Sequence, residues 1–265
     1  MNVIKQELKT NRRSFLIWLT VIIALFLIVA LVYPQISVSQ LDMQKMLQMF
    51  PEGMLKSFNF DIADISTFFG WFKSEGLILL MLISCCYAVM SAANALTYEV
   101  ENHTIFFLLA MPIKRRNLYG QKLIAGLIQI ILMQTLIGIF LLVAFKNSKG
   151  AFDINQYLLL MLGVLFLNIF FYIIVYALSL GFKKTRSVTG LGLALVISSY
   201  MLALIGDMSD KVALLKQISP FAFFSSRYLI LHQHFDYFNV FIALFISVIC
   251  IVVGLIFFER KAFSD

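Results

Sequence analysis

Six long stretches of this sequence hold no charged residue: 14–41, 76–98, 123–145, 154–182, 187–206 and 237–258, with lengths of 28, 23, 23, 29, 20 and 22 residues. A helix needs about 20 mainly apolar residues to cross a hydrocarbon core of roughly 30 Å. All six stretches are long enough. Their interiors, such as Leu158–Leu167 and Val240–Phe258, are rich in Leu, Ile, Val and Phe. Strands of a membrane barrel would run about 10 residues with alternating polarity, and no such alternation occurs here. Backbone polar groups in lipid must be satisfied within their own segment, so long apolar runs become helices.

Composition agrees. Charged residues make up 13% of the 265 positions, and the mean hydropathy is +0.92. An average soluble domain is about 25% charged. These values exclude an ordinary cytosolic enzyme, a disordered chain and a secreted disulfide scaffold. The predicted fold class is an all-α integral membrane protein, one transmembrane domain over 1–265. Its spans are placed at about 14–33, 74–98, 121–145, 156–182, 187–206 and 237–258. The first apolar stretch, Ser14 to Tyr33, is longer than the roughly 7–15 residues of a signal-peptide core. It also lacks a small-x-small cleavage site, so it is read as a permanent helix.

Lys and Arg set the orientation. Thirteen fall on the side holding both termini and the 99–122 and 183–186 loops, against eight on the other. Both termini are therefore expected in the cytoplasm. Topology and anionic headgroups account for the net charge of +7 without nucleic acid. The outer loops are expected at 34–72, 146–155 and 207–236. In the last, Ile218–Ser226 and Tyr228–His232 are apolar runs too short to span. They suit either a re-entrant hairpin before the sixth span, which requires protein cover, or a loop lying on the headgroups. The 34–72 loop has apolar pieces at Met46–Met49 and Ile65–Trp71, so part of it is expected to be helical.

No phosphate-binding GxxxxGK[ST], HExxH, CxxC or GxSxG motif occurs. Cys85, Cys86 and Cys250 fall within spans and are read as packing residues. His232, His234 and Asp236 form a His-x-His-x-Asp pattern that an extended segment would place on one face. No further ligand cluster joins it, and solvated or interfacial histidines are the preferred reading. Ion-driven pumps keep ionisable groups at depth. Here only Glu75 comes near, at the end of the second span. The central polar residues are neutral: Asn94, Gln129, Gln134, Thr135, Asn168, Ser198 and Ser199. They suit interhelical hydrogen bonds or substrate contact, and the pattern does not rank them.

Two polar pieces lie on the basic side. In the 2–12 segment, Val3, Ile4 and Leu8 share one helical face, with Lys5, Lys9 and Arg12 around the rest. That is the pattern of an interfacial helix, the alternative being a basic tail that only sets topology. The second piece, 99–115, begins with Glu99 and Glu101, continues through an apolar run from Ile105 to Met111, and is closed by Pro112 and then Lys114, Arg115 and Arg116. Acids at the start and bases at the end suit a helix dipole, and Pro112 ends the helix. The run is too short to span. It must bury its face against lipid, neighbouring helices or a partner protein.

This segment resembles that of the membrane (permease) subunit of a bacterial ABC-2 type exporter. There, acidic residues precede Gly-Thr, an apolar run with Leu-Leu, Pro-x-Ser-Arg and a Lys that opens the next span. Glu99, Glu101, Thr104, Leu108, Leu109, Pro112, Arg115 and Lys122 match in order. His103 stands where Gly is usual, and Lys114 where Ser is usual. The resemblance extends to the six spans, the inner termini, the amphipathic N-terminal helix and the outer hairpin. It implies a transport subunit in a bacterial plasma membrane, paired with a second membrane subunit, identical or homologous, and with two cytoplasmic ATPase subunits. It makes 99–115 a coupling helix, with Glu99, Glu101, Thr104, Leu108, Leu109, Pro112 and Arg115 docking the ATPase. It implies no catalytic, cofactor or metal site in this chain, ATP and Mg being held by the partner. The cargo would be hydrophobic or amphipathic: a peptide, toxin, antibiotic or lipid-like compound moved out of the cytoplasm. A passive channel or ion-coupled carrier is the alternative, and a membrane-embedded enzyme ranks behind both.

Overall fold

The computed structural model describes residues 3–32, 67–110, 113–148, 152–208, 219–224 and 226–261, and these are all-α. Two helices open the chain: α1 (Val3–Thr10) and α2 (Arg12–Val32). Asn11 between them keeps the helical bonding, its amide donating to Glu7 O and its carbonyl accepting from Phe15 N. Then come α3 (Phe68–Glu101), α4 (Ile105–Ala110), α5 (Arg115–Asn147), α6 (Ile154–Ser179) and α7 (Thr185–Met208). The short α8 (Pro220–Phe223) and α9 (Ser226–His232) precede α10 (Tyr237–Arg260). Six of the described helices, α2, α3, α5, α6, α7 and α10, are long and apolar enough to cross a membrane.

The helices overrun the uncharged windows. α3 starts at Phe68 and α5 runs from Arg115 to Asn147, where the charge gaps suggest 74 and 121–145. Hydropathy marks the apolar part of a helix, whereas backbone hydrogen bonding continues into charged turns whose long side chains reach toward water. A π-helical turn at Phe72–Gly76 interrupts α3 near its start. Of the expected 34–72 loop, residues 68–71 are helical, and Met46–Met49 lies outside the described residues.

α3 and α6 form the centre. Within their most apolar windows, 67% and 61% of residues are buried, against 11% for α2 and 17% for α10. α3 packs most heavily on α6 and then on α7, while α10, α5 and α9 also lie on α6. The outer helices present Leu16, Ile17, Ile28, Phe241, Phe245 and many similar side chains outward. So much contiguous apolar surface calls for lipid around it.

α5 and α6 run antiparallel in fixed register. At one end the Tyr176 hydroxyl donates to Tyr119 O (2.7 Å), and at the other the Tyr157 hydroxyl donates to Gly138 O (2.6 Å). Between them the hydroxyl end of Tyr172 sits against Gly126, where an added Cβ would overlap it. Gly192 is equally tight, because a Cβ there would strike Val89 and Val175. Asn168 ties α6 to α3, its Oδ1 accepting from Ser84 (3.1 Å) and Cys85 (3.2 Å).

The far end, away from α1, is closed by aromatic rings. Phe145 lies 4.9 Å from Phe68, 5.0 Å from Phe72 and 5.7 Å from Tyr157, and Phe69 lies 5.0 Å from Phe152. The start of α3, the end of α5 and the start of α6 thus share one cluster. α8 and α9 fold back onto the bundle. Ser219 donates to Ser199 O (2.6 Å), Phe221 meets Phe171 and Tyr200, and Leu229 fills the space over Gly163.

A matched glycine pair tests this packing. Gly126→Ala is expected to lower stability by about 1–3 kcal/mol through overpacking. Gly120→Ala, with nothing near its Cβ position, should be neutral or raise stability by up to ~1 kcal/mol. Thermal unfolding of the two variants in detergent checks the difference.

Candidate functional site

The end of the bundle that carries α1 collects four otherwise separate pieces: α1, the 99–115 segment, the α6–α7 turn and the C-terminal end of α10. Lys122, in the second turn of α5, is their anchor. Its side chain is 1% exposed. The ammonium donates to Glu7 of α1, to Glu99 of α3 (3.2 Å) and to Ala95 O (2.9 Å). Three protons meet three acceptors, which is what a buried ammonium requires. Val3 is also buried, and α1 packs along α5.

The segment that follows is shaped by its own polar groups. Glu99 uses its second carboxylate oxygen to accept the Thr104 hydroxyl. Asn102 donates from its amide side chain to Tyr98 O (2.8 Å) and His103 donates to Val100 O (3.2 Å), closing the end of α3. His103 has φ 57°, the left-handed conformation that ends helices and that glycine adopts most readily. This gives a physical meaning to the glycine usual at this position in the resembling family. The His103 ring stacks over Phe106.

α4 has two faces. Ile105 (1% exposed) and Leu108 (8%) turn inward at helical spacing, and Phe106 (39%) and Phe107 (69%) turn outward. Beyond it, Arg115 donates to Glu259 O (3.2 Å) and Lys261 O (2.9 Å), capping the carbonyl end of α10. Glu101 accepts the Thr185 amide (2.9 Å) at the start of α7, where a carboxylate favours the dipole. Lys261 donates to Leu180 O, and burial together with the Lys183 charge holds its ammonium below the usual lysine range.

The seven residues singled out from sequence therefore divide. Glu99, Glu101 and Arg115 each make a bond that fixes the segment to a neighbouring helix, and Thr104 bonds to Glu99 within the segment. Leu108 packs inward, so a polar residue there would disturb the core. The Leu109 backbone is in α4, while its side chain and Pro112 lie outside the described residues. The outward pair Phe106 and Phe107 did not stand out in the sequence. Their signal was available: with Ile105 and Leu108 on the inner face of a one-turn helix, the two intervening residues must face away.

Elsewhere, Asp236 caps α10, accepting from Phe238 N (3.0 Å) and Asn239 (2.9 Å). The rings of His232 and His234 are 5.9 Å apart, each with Nδ1 against a backbone carbonyl. No group of three potential metal ligands occurs among the described residues. In the helices, Gln129 and Gln134 are buried with side-chain oxygens unpaired, as is the Tyr172 hydroxyl.

Comparison with known proteins adds one match. The family model for the ABC-2 family transporter protein covers residues 1–263. No curated protein matches the chain.

Two outcomes follow for the residues described here. His103→Gly should raise thermal stability by up to ~1 kcal/mol by removing the left-handed strain. Asn168→Leu should lower it by about 0.5–2 kcal/mol by cutting the α3–α6 link, whereas Gln134→Leu, which removes an unpaired group, should be close to neutral. Melting curves of the three detergent-solubilised variants decide both.

Proposed function

We propose, from the premise that this chain belongs to the ABC-2 family of membrane transporters, that it is the permease subunit of an ATP-driven exporter. The multi-span bundle is the membrane path, and energy comes from a separate ATPase that holds ATP and Mg. The cargo is hydrophobic or amphipathic, a peptide, toxin, antibiotic or lipid-like compound, in keeping with spans whose central polar groups are neutral. The α1 end is cytoplasmic, in a bacterial plasma membrane, and a second membrane subunit, identical or homologous, completes the path. Two ATPase subunits bind from the cytoplasm. At the opposite face, α8 and α9 form a re-entrant element, a reading supported by the contact of Phe221 with Phe171 in the interior of α6.

One observation carries the docking assignment. An aromatic knob, Phe106 and Phe107, stands out from a short helix whose flanks are bonded to α5, α7 and α10. A lipid-facing loop needs no such bracing. A surface that must transmit movement does. Lys114, Arg116, Lys183, Lys184 and Arg186 are exposed around it, which favours a partner cleft with an apolar floor and acidic rim.

Pull-down of the tagged chain from its native membrane tests the reading. The wild type should bring down a soluble ATPase. Phe107→Asp should lower its recovery about tenfold, equal to about 1.4 kcal/mol of binding, with membrane insertion unchanged. Lys146→Ala, exposed at the far end, should leave recovery as in wild type. A preparation with no ATPase would move the weight to a channel or ion-coupled carrier.

A further inference from the structure

Lys122 of α5 is placed where the docking segment, α1 and α5 meet, and its side chain bonds to both of the others. Its ammonium holds Glu7 on one side and Glu99 on the other. Glu99 in turn holds Thr104, the residue just before α4. The chain of bonds therefore runs from α4 through Thr104, Glu99 and Lys122 to Glu7 and α1. Every link in it is polar and directional, so a displacement at one end changes geometry at the other.

Apolar packing alone would have held α1 to α5. A buried ammonium is different in kind. It is fully satisfied only when both carboxylates are present, and a carboxylate that moves away without Lys122 loses its counter-charge. Without Lys122, Glu7 and Glu99 would face each other as like charges. α1 and the start of α4 are thereby held to move as one body with the first turns of α5.

We propose that Lys122 is a positioning residue that makes α1 part of the transmission path, carrying movement of the 99–110 segment to the amphipathic helix and from there to α2. The idea rests on the transport reading above for the origin of that movement, but the linkage itself does not. Its basis is the ion cluster, and it assigns α1 a role beyond lying at the membrane surface.

Hydrogen–deuterium exchange of the full chain in lipid nanodiscs tests it in two steps. In the chain alone, Lys122→Met should speed exchange about tenfold in both 3–10 and 104–108. Glu7→Gln, which leaves Lys122 paired with Glu99, should speed exchange in 3–10 only. Unchanged exchange at 3–10 in both variants would overturn the linkage. With the co-purified ATPase, adding ATP and vanadate should alter exchange at 99–110 and at 3–10 in the wild type. In Glu7→Gln the change at 99–110 should remain and that at 3–10 should disappear. Persistence of the change at 3–10 would overturn the positioning role, because a merely structural contact would not distinguish the two segments. Should no ATPase co-purify, the transport reading falls, and the first step still decides the linkage.

Discussion

In hydrocarbon, helices gain nothing by hiding apolar side chains from one another, because lipid is equally apolar. Their association depends on close contact and on a few polar bonds. That constraint organises this bundle. Where α5 meets α6, Gly126 lets a tyrosine ring lie against bare backbone, and tyrosine hydroxyls at both ends donate to helix carbonyls across the seam. Where α3 meets α6, one amide oxygen collects two side-chain donors. The most buried helices are those that own these contacts, and the lipid-facing ones carry long apolar side chains with no partner to find.

The two ends of the bundle solve different problems. The far end is fastened by rings stacked edge to face around Phe145, each such pair contributing about 0.5–1.5 kcal/mol beyond its burial. That network is dense and mainly apolar, with the Tyr157 hydroxyl bonded to Gly138 O. The α1 end is fastened by charge and by capped helix termini. Removing one partner from a buried ion pair costs about 3–5 kcal/mol, although replacing the whole pair by apolar residues is often neutral. Bonds of that type are poor choices for stability alone, but they hold pieces in a set relation while leaving them able to shift together.

The fold was legible to a large extent. Charge gaps located all six long helices because burying a charge in lipid is so costly that sequence cannot hide the spans. Helix ends were less legible, since α5 extends through Arg115, Arg116 and Lys122 without regard to hydropathy. Within 99–115 the sequence singled out the right stretch and most of its polar residues. It did not reveal that Glu99, Glu101 and Arg115 are turned toward the chain's own helices. Those partners, Lys122, Thr185 and the end of α10, are joined only by tertiary packing. Leu108 and Phe107 differ by one position, yet one is buried and the other exposed, a difference set by which face of α4 turns inward.

The distribution of ionisable groups bears on the source of energy. A carrier that runs on protons or cations must bind and release them at depth, which calls for a titratable side chain or a carbonyl cage within the spans. Here the buried ammonium lies in the second turn of α5, already bonded to two carboxylates and a carbonyl. Glu75, in the π-helical turn of α3, sits near the opposite end. Between them the spans offer amides and hydroxyls. Such groups can accompany an amphipathic molecule through the bundle, but they store no electrochemical energy. On the proposed transport reading, work on that molecule enters mechanically, and the braced, aromatic-tipped segment at the α1 end is the proposed point of entry.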